Sequence, residues 1–126
     1  MVLIYGGAYQ GKLDYARERY GISDGEIFYC SDNSAEPVIT QRCVYDYQKL
    51  VLAQIRSGFD PVAYFNRNIE LMREKIIICD DISSGVVPID AETRLWRESV
   101  GRCMNLIAKN ADEVWRIFCG IGTRLK

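Results

Sequence analysis

A glycine-rich loop directly after an apolar run is the feature that most limits how this chain can fold. Residues 2–5 form a short apolar run, as expected of a buried parallel strand. Residues 6–12 then match the phosphate-loop pattern G-x-x-x-x-G-K in the strand-then-helix setting that the motif requires. Glycines let the backbone N–H groups converge on an anion, and the following helix adds its positive N-terminal end. The sequence therefore predicts a phosphate-loop fold.

The loop supplies the candidate nucleotide-binding residues. Lys12 is also the candidate catalytic residue, because its ammonium group can reach the outer phosphates of a bound nucleotide. Leu13 stands where the motif has Ser or Thr, whose hydroxyl binds the magnesium ion that bridges the phosphates. We therefore expect Mg²⁺ with ATP or GTP as the cofactor pair, held more weakly because of Leu13, and a loop that has lost its ligand is the alternative. The candidate set is Gly6, Gly7, Ala8, Tyr9, Gln10, Gly11, Lys12 and Leu13.

Composition predicts a single domain over residues 1–126. The net charge is −1 with acidic and basic residues interspersed, which argues against nucleic acid as a partner. No apolar run approaches the length of a membrane span, and Met1 leads directly into the first strand. We therefore expect a cytoplasmic protein with no signal peptide and no membrane partner.

Cysteine and histidine content limits the possible chemistry. The five cysteines form no C-x-x-C pair, which favours reduced, buried thiols over disulfides or a zinc site. The chain contains no histidine. Serine–histidine and cysteine–histidine nucleophiles, histidine metal sites and phosphohistidine intermediates are therefore excluded for this chain.

Apolar periodicity predicts alternating strands and helices. The predicted strands are residues 2–5, 26–30, 75–81 and 114–119. The predicted helices are residues 12–20, 44–57, one that starts at Asp60-Pro61, and 91–110, while residues 83–89 are predicted as a loop. This order is typical of an α/β fold of three layers, the phosphate-loop nucleotide-hydrolase-like type, with a mostly parallel sheet of about four to five strands.

Two adjacent acids end the third predicted strand. By pattern, Asp80 and Asp81 are typical of the strand that supplies a magnesium-coordinating Asp in phosphate-loop proteins. They are candidate metal ligands and catalytic residues, although neighbouring strand residues point to opposite faces and at most one would face the loop. An acidic turn at the end of the strand is the alternative.

Further candidates follow from chain topology. Ser31 lies in a polar loop after the second predicted strand, and such loops line the ligand crevice of open α/β sheets. A solvated turn is the alternative for Ser31. Arg94 and Arg97 fall in the first two turns of the last helix, near the crevice, and are candidate contacts to substrate or phosphate.

Two ordered series of residues carry a family resemblance. The first is the loop, which we compare with the pattern G-G-A-R-S-G-K-S, and it is followed by Tyr15-Ala16. The second series comprises Asp80-Asp81, Gly85-Val86-Val87-Pro88, Arg94, Arg97, Gly101-Arg102, Ala111-Asp112-Glu113-Val114-Trp115, Gly120-Ile121-Gly122 and Lys126. Together they resemble the bifunctional adenosylcobinamide kinase and adenosylcobinamide-phosphate guanylyltransferase family of cobalamin biosynthesis.

Departures from that family are equally informative. Family members are longer, and the resemblance implies that the missing internal part includes the segment with the guanylylated histidine and the family's acid-bearing strand. It also places Asp80-Asp81 where the family has Asn-Glu, on the later strand, and we follow it on that placement. Tyr9, Gln10 and Leu13 replace Arg, Ser and Ser of the family loop, and Met104 replaces a helix Asn.

The resemblance implies a purine-nucleotide-binding protein, with a cobinamide-like small molecule as a further ligand and a homo-oligomeric state. An enzyme that keeps kinase-type phosphoryl transfer is favoured, because this chemistry depends on positioning and charge. Guanylyl transfer through histidine is expected to be absent. A non-catalytic nucleotide-sensing or assembly subunit remains the alternative, and a small kinase for an unrelated metabolite is a third.

Overall fold

The fold is known from a computed structural model that describes residues 1–82 and 90–126. The predicted loop at 83–89, including Gly85 to Pro88 of the family resemblance, lies outside the described residues. The strands are β1 (Val2–Gly6), β2 (Ile27–Tyr29), β3 (Cys43–Tyr45), β4 (Ile76–Asp80), β5 (Glu113–Phe118) and β6 (Ile121–Arg124). The helices are α1 (Lys12–Tyr20), α2 (Tyr47–Arg56), α3 (Pro61–Arg67), α4 (Ile69–Met72) and α5 (Ala91–Asn110), with a 3₁₀ turn at Asp24–Glu26.

The strands form one sheet in the order β2-β3-β4-β1-β5-β6. Every neighbouring pair is parallel except β5 and β6, which are antiparallel. In the β1–β4 register, Gly6 lies opposite Asp80. The end of β1, where the glycine loop begins, is therefore adjacent to the end of β4. The mostly parallel α/β architecture predicted from the sequence is confirmed.

Helices cover both faces of the sheet. On one face, Ile4 packs with Ala16 of α1, and both side chains are fully buried. On the other face, Leu3 packs in a cluster with residues of α2, α3, α4 and α5. Successive residues of β1 are buried on opposite faces, as expected of a central strand covered on both sides. The result is the predicted three-layer fold.

Helix boundaries follow local capping chemistry. The helix α1 ends at Gly21, which has φ 64° and donates its N–H to the Arg17 carbonyl. The Asp60 carboxylate accepts hydrogen bonds from the N–H groups of Val62 and Ala63 and so caps α3. The predicted helices at 12–20 and 91–110 are confirmed. Among the described residues, no helix combines the length and the apolar character needed to cross a bilayer.

Two strands were missed: among the described residues the sheet has six strands instead of the expected four to five. The helix predicted to begin at Val44 begins at Tyr47, and Val44 lies in β3 between β2 and β4. An acidic residue, Asp46, directly follows β3. The second missed strand, β6, pairs with β5 through the turn at Cys119 and Gly120.

The predicted buried thiols are confirmed for four of the five cysteines. Burial raises the pKa of Cys30 and Cys103 to about 12 and that of Cys43 to about 11, and it also raises the pKa of Cys79. These thiols are therefore protonated at neutral pH. Cys119 differs, because it is exposed in the β5–β6 turn.

Candidate functional site

A cleft of about 590 Å³ lies over the carboxyl ends of β1, β3 and β4. One side, the loop wall, is formed by Ala8, Tyr9, Gly11, Lys12, Leu13 and Asp14. The opposite side, the helix wall, is formed by Tyr45, Asp46, Gln48 and Lys49. Asp80 lies between the two walls. Ligands of open α/β sheets bind at this end of the strands.

Lys12 and Asp80 form an ion pair in the cleft, with 2.6 Å between Nζ and Oδ1. The Lys12 ammonium also donates to the carbonyl oxygen of Gly7 at 2.8 Å, and the side chain is only 4% exposed. Because Gly6 and Asp80 lie side by side in the sheet, the start of α1 and the end of β4 bring the two charges together. A positively charged side chain at the N-terminus of a helix, such as Lys12 of α1, is well placed to bind a phosphate.

The loop backbone has little freedom at its two ends. A Cβ added at Gly6 would lie 2.3 Å from the Ile117 carbonyl oxygen, and one at Gly11 would lie 3.3 Å from the Gly120 Cα. Gly11 also has φ 88°, which favours glycine. Tyr9 is fully exposed at the loop tip and adopts φ 60°, an uncommon conformation for a bulky residue.

The loop is attached to the β5–β6 turn through one residue. The side-chain oxygen Oε1 of Gln10 accepts a hydrogen bond from the Cys119 N–H at 2.7 Å. The Gln10 carbonyl oxygen accepts another from the Gly120 N–H at 2.8 Å. Gln10 therefore holds the loop against the β5–β6 hairpin. Three of the predicted loop residues, Gly6, Gly7 and Gln10, are not among those that line the cleft.

Asp46 is the central residue of the helix wall. It directly follows β3 and has φ 61°, and its side chain makes no capping hydrogen bond to α2. Its carboxylate instead accepts from Gln48 Nε2 at 3.2 Å and pairs with Lys49 Nζ at 3.0 Å. The hydrogen bond to Asp46 raises the pKa of Lys49. Lys49 is therefore a cation at the mouth of the cleft.

Gln48 connects the helix wall to β4 and α5. Its side chain is buried, and Oε1 accepts a hydrogen bond from the Asp80 N–H at 3.0 Å. Its backbone carbonyl accepts one from the Trp96 Nε1–H at 2.8 Å. A buried residue of α2 that is hydrogen-bonded to both β4 and α5 fixes the relative positions of these elements. Gln48 therefore sets where Asp46 and Asp80 stand in the cleft.

Asp46, Gln48 and Lys49 were not predicted as site residues from the sequence. The available signal was an acid immediately after a short β-branched and aromatic run, the same pattern that identified Asp80. That run was assigned to the following helix, which concealed the pattern.

The cleft contains charges of both signs. Three carboxylates, those of Asp14, Asp46 and Asp80, line it together with two ammonium groups, those of Lys12 and Lys49. In the part of the chain that the structure describes, no group of three or more histidine, cysteine or acidic side chains is arranged to hold a metal. Mg²⁺ commonly uses one or two carboxylates together with the phosphates of the ligand.

A second pocket of about 490 Å³ adjoins the cleft and shares Gln48, Lys49 and Asp80 with it. Its other lining residues are Cys30, Ser31, Asp32, Leu52, Ile82 and Trp96. The candidate Ser31 therefore lies in this pocket rather than among the residues of the cleft. Its hydroxyl oxygen accepts a hydrogen bond from the Asn33 N–H at 3.0 Å, which orders the loop after β2.

The remaining candidates are not among the residues that line the cleft. Asp81 donates its N–H to the Gly6 carbonyl at 2.8 Å and lines a third pocket, with Tyr5 and Met104. Arg94 and Arg97 lie on α5 and are not among the described residues that line the cleft or the second pocket. The structure therefore brings together Lys12 and Asp80 and leaves these three apart from them.

Comparison with known proteins gives two findings. The family model described as cobinamide kinase / cobinamide phosphate guanyltransferase matches residues 48–125. The bifunctional adenosylcobalamin biosynthesis protein CobU of Salmonella typhimurium is 33% identical over 51 residues, which are 40% of this chain. The matched stretch spans only 28% of that protein's length. The family match begins at Gln48 and so includes part of the helix wall but not the loop wall.

Proposed function

Because this chain belongs to the cobinamide kinase / cobinamide phosphate guanyltransferase family, we propose that it binds a purine nucleoside triphosphate with Mg²⁺ in the cleft. We propose further that it transfers the terminal phosphoryl group to an alcohol of a cobinamide-like molecule. Guanylyl transfer through histidine is outside the proposal, since the chain contains no histidine. A homo-oligomeric state is part of the proposal.

The observation that carries this proposal is the Lys12–Asp80 ion pair in the cleft. Lys12 would exchange Asp80 for the outer phosphates of the nucleotide, while the start of α1 faces them with its positive end. At about 4 Å and an intermediate effective dielectric, one such charge contributes roughly 4 kcal/mol of Coulomb energy before desolvation. That energy supports binding even though Leu13 offers no hydroxyl.

The residues present fit a magnesium ion. Asp46 and Asp80 end neighbouring strands and line the same cleft, and carboxylate oxygens are ligands that Mg²⁺ prefers. These two residues would hold the ion, which would neutralise negative charge on the phosphates. Asp80 then has an alternative partner when Lys12 turns to the nucleotide.

The proposed transfer needs little covalent chemistry from the protein. The acceptor oxygen forms a bond to the terminal phosphorus, and the bond from that phosphorus to the bridging oxygen breaks. The nucleoside diphosphate leaves, and the alcohol proton is released to solvent. Lys12 positions the transferred group and stabilises its charge. The second pocket adjoins the cleft and offers space for the acceptor alcohol.

Removal of Lys12 tests the proposal. We expect Lys12→Ala to lower the rate of nucleoside diphosphate formation with cobinamide by about 10²- to 10³-fold, as for the loss of one charge-stabilising group. Lys75→Ala is the matched control, because Lys75 also donates to a backbone carbonyl (Gln41, 2.7 Å) but stands at the opposite end of β4. Nucleotide binding is measured by titration calorimetry with ATP and GTP. Equal binding by wild type and Lys12→Ala would remove the loop from the proposal.

Leu13 favours a second candidate function, a nucleotide-sensing or assembly subunit without catalysis. The missing hydroxyl weakens the link between the nucleotide and magnesium. Titration with and without Mg²⁺ separates the two candidates, because a sensor of this kind would bind equally in both. Phosphorylation of another alcohol but not of cobinamide would instead indicate a kinase for an unrelated metabolite. Incubation with α-labelled GTP is expected to leave no acid-labile label on the protein.

A further inference from the structure

Lys49 occupies the boundary between the cleft and the second pocket. It is one of three residues, with Gln48 and Asp80, that line both cavities. The cleft also contains Lys12 on its opposite wall. A group bound in the cleft therefore meets the second pocket beside Lys49.

The contacts of Lys49 leave its ammonium group available to a ligand. Its side chain is 51% exposed, and it forms an ion pair with Asp46, a carboxylate that is only 16% exposed. Asp46 stands at the N-cap of α2 without capping it, so its carboxylate is directed to side chains instead of to backbone N–H groups. A lysine on a flexible four-carbon stem can move from this carboxylate to a nearby anion.

We propose that Lys49 binds the terminal phosphate of the nucleotide, on the side opposite Lys12 and next to the pocket that receives the acceptor. This inference rests on the proposed function and deepens it by naming a second residue that holds the transferred group. Lys12 alone offers one positive charge from the loop wall, and Leu13 beside it has no polar side-chain atom. Lys49 supplies the second charge from the helix wall. Lys12 contacts the outer phosphates from the loop wall, and Lys49 contacts the terminal phosphate from the helix wall.

The test compares nucleotides that differ only in phosphate number. We expect Lys49→Gln to weaken binding of the Mg²⁺–nucleoside triphosphate about tenfold. Binding of the diphosphate should change by less than about threefold, and binding of the monophosphate should not change, because both lack the terminal phosphate. Lys49→Arg keeps the charge and should bind the triphosphate within about threefold of wild type.

Arg73→Gln is the matched control. Arg73 is also 51% exposed and also pairs with a carboxylate three residues before it, Glu70, but it lies outside the cleft. The same unit of charge is therefore lost from a similar surface ion pair. We expect its affinity for all three nucleotides to equal that of wild type.

Each outcome decides between the inferences. If Lys49→Gln lowers the affinity for mono-, di- and triphosphate equally, Lys49 only shapes the cleft. If the affinity for the triphosphate is unchanged, Lys49 does not contact the nucleotide. Either result overturns this inference alone. Failure of the wild-type chain to bind any of the three would overturn the proposed function and this inference with it. If Lys49→Gln fails to fold, a Lys49→Arg variant that folds but loses triphosphate selectivity also contradicts it.

Discussion

The loop wall and the helix wall of the cleft are built from similar parts in different ways. Each contains a lysine paired with an aspartate, Lys12 with Asp80 and Lys49 with Asp46. Each also contains one bulky or polar residue at positive φ, Tyr9 at 60° and Asp46 at 61°. The loop wall is one continuous run of chain, whereas the helix wall depends on where a three-residue strand places the residues after it.

This difference teaches where a motif is informative. Close backbone contacts hold the loop wall in place, so its residue types must recur at fixed spacing, which a sequence pattern detects. Buried hydrogen bonds from Gln48 hold the helix wall in place, and those connect residues that are far apart in sequence. The family match begins at Gln48, so the two walls also differ in how strongly they are tied to the family.

Gly6→Ala would break the loop wall most severely. The added Cβ would lie 2.3 Å from the backbone oxygen of Ile117, and neither strand can move away without disrupting the sheet. We expect the free energy of unfolding to fall by about 3 kcal/mol, at the upper end of overpacking costs. Urea denaturation measures it. Gly7→Ala is the control, since its Cβ meets only Gln10 Cγ at 3.5 Å and should cost less than about 0.5 kcal/mol.

Gln48→Met tests the helix wall in the same way. The substitution keeps the side-chain size but leaves the Asp80 N–H without its acceptor and removes one of the two donors to the Asp46 carboxylate, Lys49 being the other. We expect a loss of about 2 kcal/mol in the free energy of unfolding, as for a buried polar group left unsatisfied. Thermal and urea denaturation provide the measurement.

Gln54→Met, on the same helix, is the comparison for Gln48→Met. Gln54 is equally buried, yet among the described residues its Oε1 has no hydrogen-bond partner, while its Nε2 donates to the Ala35 carbonyl at 3.1 Å. Its replacement should cost less than about 1 kcal/mol. Equal losses at the two positions would show that hydrogen bonding does not hold the helix wall.

The smallest expected effect on stability concerns the C-terminal end of α1, the helix that follows the loop. Glu113 accepts hydrogen bonds from the Trp115 Nε1–H and the Tyr20 hydroxyl, both at 3.1 Å, and these lower its pKa. Its contribution to stability is therefore complete above the unfolded pKa of about 4.3 and is lost as pH falls through the lower folded pKa. We expect Glu113→Gln to cost about 1 kcal/mol at pH 7 and nothing at pH 2.

A pH series of urea denaturation on wild type and Glu113→Gln measures this difference. Glu98→Gln is the control, because Glu98 pairs with Arg102 on an exposed face of α5. Its effect should be close to zero at both pH values. A Glu113→Gln effect that is constant with pH would contradict a role for the carboxylate charge.

Long periodic elements of the fold were predictable from the sequence, and short ones were not. The helices at 12–20 and 91–110 have caps and apolar stripes of several turns. By contrast, Val44 stands at helical spacing from Tyr47 and Val51, so one apolar pattern spans both β3 and α2. The strand forms because β2 and β4 pair with it on both sides, which local sequence does not show.

The hairpin of β5 and β6 was missed for a related reason. Its turn residues, Cys119 and Gly120, both have positive φ, as a two-residue turn with the strand twist requires. Asn or Asp is the usual residue at the first position, and cysteine gives no such signal. In the candidate site, Lys12 and Asp80 were identified because each belongs to a local pattern. Asp46 and Lys49 were missed together with β3.

The attachment of Gln10 to the β5–β6 turn has a consequence for the evolution of this chain. The family pattern has serine at this position, and a serine side chain is too short to replace the amide oxygen that Cys119 N–H contacts. A family-type loop transplanted into this protein would therefore keep only the main-chain bond from the Gly120 N–H to the carbonyl oxygen of residue 10. Because Cys119 contributes its backbone N–H and not its side chain, selection on this contact is expected to act on the side chain of residue 10 and not on that of residue 119.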